Sequence, residues 1–171
     1  MLRIIGAGLI MAGCSGIGFR YRKRLYQGLK YLQTMKQILE LFMSEVGYGK
    51  ATLPECCKRV GERVEEPYKG ALLQIHDSMK KKENSFRECW HTEMEKALWG
   101  LPITGREKDA FLGFPNCCGL QDGRMQIRAI EQYRDMLNTA IIRREAELEK
   151  QGRLAAGLGI MCGLLLVIVL S

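Results

Sequence analysis

Two long uncharged runs enclose a charged, helix-patterned middle. No Asp, Glu, Lys or Arg occurs from Ile4 to Phe19, and none from Leu154 to Ser171. Between them the apolar positions keep helical time. Leu25, Leu29, Leu32, Met35, Leu39, Phe42 and Val46 follow one another in steps of three and four, which marks a single helical face, and Gly47 and Gly49 end the run. Thr52-Leu53-Pro54-Glu55 has the T-x-x-E form of a capping box and is followed by Cys56, Val60 and Val64 on one face, up to Pro67. Tyr68 to Lys82 carries Leu72, Ile75 and Met79. Ser85-Phe86-Arg87-Glu88 and Thr104-Gly105-Arg106-Glu107 are two further boxes. The first opens a helix with Cys89, Trp90, Met94, Ala97 and Leu98 that stops near Gly100-Leu101-Pro102. The second opens one with Phe111, Leu112 and Phe114, broken by Pro115. Asp122 then starts a long helix with Met125, Ile130, Tyr133, Leu137, Ile141 and Leu148 as its inner stripe. No stretch alternates as a strand does. The pattern predicts an all-α fold: a bundle of about six helices over residues 21–153.

The two apolar ends change the picture from a soluble bundle to a membrane protein. A spanning helix needs roughly 17–25 apolar residues. Residues 1–20 and 154–171 are read as two such helices, with Arg3 and Arg20 able to snorkel at the ends of the first. Both runs carry small residues at four-residue spacing, Gly8, Ala12 and Gly16 in one and Ala155, Gly159 and Gly163 in the other. Such stripes let helix backbones approach closely in lipid. A basic cluster, Arg20, Arg22, Lys23 and Arg24, lies on the middle-domain side of the first span. Arg143, Arg144, Lys150 and Arg153 lie on the same side of the second. The positive-inside rule therefore places the middle in the cytoplasm. The net charge of +7 reads as apposition to anionic lipid headgroups rather than as nucleic-acid binding.

Candidate chemistry is weak throughout. Arg3-Ile4-Ile5-Gly6-Ala7-Gly8-Leu9-Ile10-Met11 starts like a G-x-G-x-x-G dinucleotide fingerprint. Its third glycine is Met11, however, and no acidic residue follows at ribose-binding distance. Gly47-Tyr48-Gly49-Lys50-Ala51-Thr52 lacks the spacing of a phosphate loop. Met11-Ala12-Gly13-Cys14 resembles a lipobox, so a lipoprotein anchored at Cys14 is an alternative, as is a membrane-surface lipid-binding protein. The apolar run continues past Cys14 to Phe19 and meets a basic stop, which suits a span better than a cleaved signal. The seven cysteines include the adjacent pairs Cys56-Cys57 and Cys117-Cys118 and show no C-x-x-C spacing of a zinc site. No catalytic constellation, cofactor or metal site is expected.

At the level of whole-chain layout the sequence resembles a known family. The residues that carry the likeness are Gly16-Ile17-Gly18-Phe19 with the basic patch, Glu45-Val46-Gly47-Tyr48-Gly49, Thr52-Leu53-Pro54-Glu55, and Phe114-Pro115-Asn116-Cys117-Cys118-Gly119-Leu120-Gln121-Asp122 with Gln126, closed by the second apolar run. This is similar to the stage III sporulation protein AB family of endospore-forming bacteria, itself similar to the platform F proteins of type II secretion. Gly119, Asp122 and Gln126 match the family pattern. Pro115 and Cys118 stand where the family usually has glycine and leucine. The resemblance implies a non-enzymatic membrane scaffold in a mother cell–forespore channel. Its bundle would face the mother-cell cytoplasm and assemble with other stage III proteins, including a hexameric secretion-type ATPase, and with further copies of itself. It also implies Tyr48, Glu55, Gly119, Asp122 and Gln126 as candidate docking residues. Asp122 has a plainer reading as a helix cap, and Glu55 as half of a capping box.

Overall fold

In the computed structural model, two long antiparallel helices carry four short ones. The structure describes the backbone of residues 2–48, 52–81, 85–118 and 123–170, and within these the side chains of 20–47, 52–81, 85–118, 125–152 and 154. Helix α1 spans Leu2–Tyr48, α2 Leu53–Gly61, α3 Tyr68–Lys80, α4 Phe86–Ala97, α5 Gly105–Leu112 and α6 Gly123–Leu170, with a 3-10 turn at Phe114–Cys117. Helices α1 and α6 each run on without a break where the sequence suggested a span joined to a bundle helix, at 20/21 and at 153/154. Gly152, a candidate bend, lies inside α6. Among the described residues no helix is long and apolar enough to cross a membrane. Cys14 and the small residues Gly8, Ala12, Gly16, Ala155, Gly159 and Gly163 lie outside the described side chains.

Cross-contacts fix the register of the long pair. The Tyr21 hydroxyl donates to Glu147 at 3.0 Å, Lys36 donates to Asn138 Oδ1 at 2.9 Å, and Gly47 faces Ile127. Numbers rise along α1 as they fall along α6, so the two helices enter and leave the bundle at the same end. The short helices build outward in chain order, α2 on α3 and α3 on α4, while α5 and the 3-10 turn sit on α6. Glu66-Pro67, just ahead of α3, is a cis peptide.

The predicted apolar faces form the core. Leu29, Leu32, Met35, Leu39 and Phe42 of α1 are buried with Ile130, Leu137 and Ile141 of α6. Ile38, which the stripe reading passed over, is fully buried as well. Trp90 of α4 sits in an aromatic cluster. Its ring centroid lies 4.9 Å from Phe114, 5.3 Å from Phe111, and 5.7 Å from both Phe42 and Phe86. Its indole N–H donates to the Phe111 carbonyl at 3.3 Å. Met125, expected on the inner stripe, is 62% exposed. It lies two residues into α6, at the end of the bundle, where little packs over it.

Two of the three capping boxes form. Ser85 with Glu88, and Thr104 with Glu107, each exchange both bonds. Thr52 makes no side-chain cap and Glu55 stays in solvent. The box at Ser85 yields a direct expectation: Ser85→Ala should lower stability by about 1 kcal/mol, read as a shift of the denaturation midpoint. The Ser85 amide and hydroxyl hold the Glu88 carboxyl below its usual range. Its contribution is full above the ordinary glutamate pKa and is lost as pH falls through the lowered one.

Candidate functional site

Of the candidate docking residues, Glu55 and Gln126 are described, and both lie at one end of the bundle, where α1 stops, α2 starts, the 3-10 turn closes and α6 begins. Glu45, near the end of α1, accepts from Arg59 at 3.1 Å and lies 3.7 Å from Arg63, which ties α1 to α2. His76 of α3 holds the start of α2, its Nδ1 2.8 Å from the Pro54 carbonyl. A carbonyl only accepts, so Nδ1 carries the proton. Freed from any cap, the exposed Glu55 carboxylate projects from the first turn of α2.

Across the same end, Arg87 of α4 pairs with Asn116 of the 3-10 turn. Pro115 and Phe114 are buried there, and the Cys117 thiol donates to the Phe114 carbonyl at 2.8 Å. Pro115 thus opens the turn, its fixed φ suiting the first positions of a helical turn. Cys118 is half-buried. Its bond to the Cys117 sulfur, then burial, pushes its thiol up, while the half-buried Gln126 side chain bonds it from α6. Burial likewise pushes up the thiols of Cys56 and Cys57. The sulfurs of Cys56, Cys57 and Cys118 behave as packing atoms, since a reactive cysteine needs a depressed pKa and access; the Cys117 thiol is lowered by its bond with Cys118, and Cys117 is buried. Cys89, expected as a small buried hydrophobe, is buried.

Glu55 and Gln126 therefore share one end of the molecule. Tyr48 closes α1, but its side chain, together with Gly119 and Asp122, lies outside the described residues; α6 begins directly after Asp122, at Gly123. The basic residues Arg20, Arg22, Lys23 and Arg24 are all exposed and sit at the opposite end, about 40 Å away along α1 at 1.5 Å per residue.

Sequence reading missed the strongest polar feature, because its partners lie 37 positions apart. Arg144 of α6 donates to both carboxylate oxygens of Glu107, at 3.0 and 2.7 Å, and to the Pro102 carbonyl at 2.9 Å. Glu107 also accepts from the Thr104 amide at 2.7 Å. A Cβ at Gly28 would collide with this guanidinium and with the Pro102 carbonyl, so α1 passes the clamp only because residue 28 has no side chain.

Among the described residues, no buried side-chain nitrogen or oxygen lacks a partner, and no three His, Cys, Asp or Glu side chains gather as metal ligands. The buried Glu107 is held by its clamp and cap. Among the described residues, two shallow surface depressions lie on α6 around Asp135 and Met136 and between α1 and α6 around Gln37 and Asn138, and neither is an enclosed cleft of the kind that buries a small ligand.

Comparison with known proteins gives a consistent answer. The sequence model of the family described as "Stage III sporulation protein AB" matches residues 3–171. The chain is 21% identical over 170 residues to the Stage III sporulation protein AB of Bacillus subtilis (strain 168), covering 99% of each. A solved structure of Stage III sporulation protein AB (SpoIIIAB) shares the fold at a TM-score of 0.66 and 16% identity, over 72% of this chain and 97% of that one. These descriptions name a sporulation protein and no reaction.

Proposed function

We propose, on the premise that the chain belongs to the stage III sporulation protein AB family and so acts in sporulation alongside other stage III proteins, that it is a non-enzymatic membrane scaffold. In this reading residues 1–20 and 154–171 span the mother-cell membrane. The bundle stands in the mother-cell cytoplasm as part of a secretion-like channel to the forespore. Its far end docks a hexameric secretion-type ATPase and further stage III proteins. The observation that carries this reading is polarity along the long axis. The helices α1 and α6 leave the bundle together at a basic end that continues into uncharged sequence, and Glu55 and Gln126 lie about 40 Å away at the other end. A scaffold that links a membrane assembly to a cytoplasmic ring needs this division of surfaces.

Capture of the full-length chain from sporulating cells tests it. The secretion-type ATPase should co-purify, and Glu55→Lys or Gln126→Ala should lower its recovery about tenfold, as loss of an interface anchor does. Thr52 and Glu55 form no capping box, so the charge reversal should cost no more than about 1 kcal/mol of stability, the helix-dipole contribution of a first-turn carboxylate. Undiminished capture by both variants would remove the docking end from the reading. The exposed basic cluster favours a second reading, a membrane-surface lipid-binding protein. Binding to anionic vesicles without any protein partner would favour that one. Lipid labelling that disappears in Cys14→Ser would mark a lipoprotein.

A further inference from the structure

The second tryptophan is unexplained by the bundle. Trp90 is fully buried, whereas Trp99 is 83% exposed, the most exposed large apolar side chain among the described residues. It lies two residues beyond the end of α4, and Gly100 next to it adopts φ +72 to turn the chain towards α5. Leu98 is buried, so the turn is anchored on its inner side while the indole is left outside.

Position along the long axis gives this exposure a meaning. Trp90 packs against Phe42, near the docking end. Farther along the same segment, Pro102 lies against Gly28 and is held by Arg144. Helix α4 therefore points towards the end where α1 and α6 leave the bundle, and the α4–α5 loop lies on that side of the short-helix layer, as does the segment between α2 and α3, where Glu65 meets Lys30. The exposed side chains there include Tyr21 and Tyr26 with Arg20, Arg22, Lys23 and Arg24 on α1 and Arg106 in the first turn of α5, and also Glu65 and Glu66 between α2 and α3, where Glu65 pairs with Lys30. On α6, the exposed Arg143 and Lys150 are outnumbered by the exposed Glu145, Glu147 and Glu149. The positive field of this end comes from α1 and α5.

The geometry points to Trp99 as an interfacial anchor that seats the α4–α5 loop on the anionic headgroups of the membrane entered by the chain's own terminal helices. This rests on the reading that those helices span. Tryptophan favours the headgroup layer because its ring is apolar while its N–H wants a polar neighbour, and nearby lysines and arginines add attraction to anionic lipid. Gly28, and the loop beside it, stands about 12 Å from Arg20 along α1. The interfacial layer of a leaflet is about 6 Å deep, and spanning helices tilt by about 20° on average. A tilt towards α5, with the indole extended, brings Trp99 to the lipid. The scaffold would then be held at a fixed lean rather than swivelling on two helices, which sets where its docking end points.

The two tryptophans make the test intrinsic. The full-length chain is placed in nanodiscs containing phosphatidylglycerol, with or without lipids brominated near the top of their acyl chains. The Trp99 signal is the difference between wild type and Trp99→Phe, with Trp90 as the internal reference. Bromolipid should quench the Trp99 component about twofold, and its emission should lie to the blue of a water-exposed indole. Acrylamide should quench it less in phosphatidylglycerol discs than in discs of phosphatidylcholine alone. A Trp99 component untouched by bromolipid and open to acrylamide in every disc overturns the anchor while leaving the spans standing. A chain that leaves the discs in an alkaline, high-salt wash overturns the spans and the anchor together.

Discussion

Trp90→Ala should cost about 3–5 kcal/mol of stability, the range for emptying an aromatic site in a packed core. Trp90 joins the layers: its ring meets Phe42 of α1, Phe86 of its own helix, Phe111 of α5 and Phe114 of the 3-10 turn. Removing it opens a cavity that these rings can close only by shifting the helices that carry them, and leaves the Phe111 carbonyl without its indole donor. Trp90→Phe should cost less, since ring packing is partly retained while the donor and part of the volume are lost. Denaturant titration of the full-length chain in mild detergent, followed by circular dichroism, measures both. A loss below about 1 kcal/mol for the alanine variant would mean that the cluster does not hold the short helices on the long pair.

The Glu107–Arg144 clamp carries the second large effect. The two side chains are only 9% and 11% exposed, so the pair is desolvated and held by two parallel bonds. Removing one partner strands the other charge away from water, which costs about 3–5 kcal/mol. Arg144→Met should therefore destabilise by that amount. Glu107→Leu should cost at least as much, because the Thr104 amide loses its acceptor too. The double replacement should be much less damaging than the sum of the singles, since no unpaired charge remains. An additive result would show that the clamp contributes through packing of the arginine stem rather than through charge. The same variants probe geometry. Arg144 fixes Pro102, and hence the loop bearing Trp99, against Gly28, so its loss should loosen the α4–α5 loop before the end of the bundle that carries Glu55. Hydrogen exchange of the Gly100–Thr104 segment reads this directly.

Helix by helix, the sequence was a good guide wherever a local rule operates. The apolar stripes of α1, α3 and α4 and the boxes at Ser85 and Thr104 are consequences of helical period and of unsatisfied first-turn amides, and all appear in the structure. It misled at Thr52, whose side chain makes no cap bond, and at Met125, where a correct period continues past the point at which anything packs on it.

By itself, then, the chain determined its helices, its all-α class, its charge layout and its family likeness, because each is written in residues close together or in the composition of whole segments. Tertiary structure decided the rest. It chose the antiparallel register of α1 and α6, brought Glu107 to Arg144 across 37 positions, gathered Glu55 and Gln126 at one end, and left Trp99 outside near the other. Those arrangements depend on contacts between distant segments. Helical period says which face of each segment is apolar and leaves open which partner covers it.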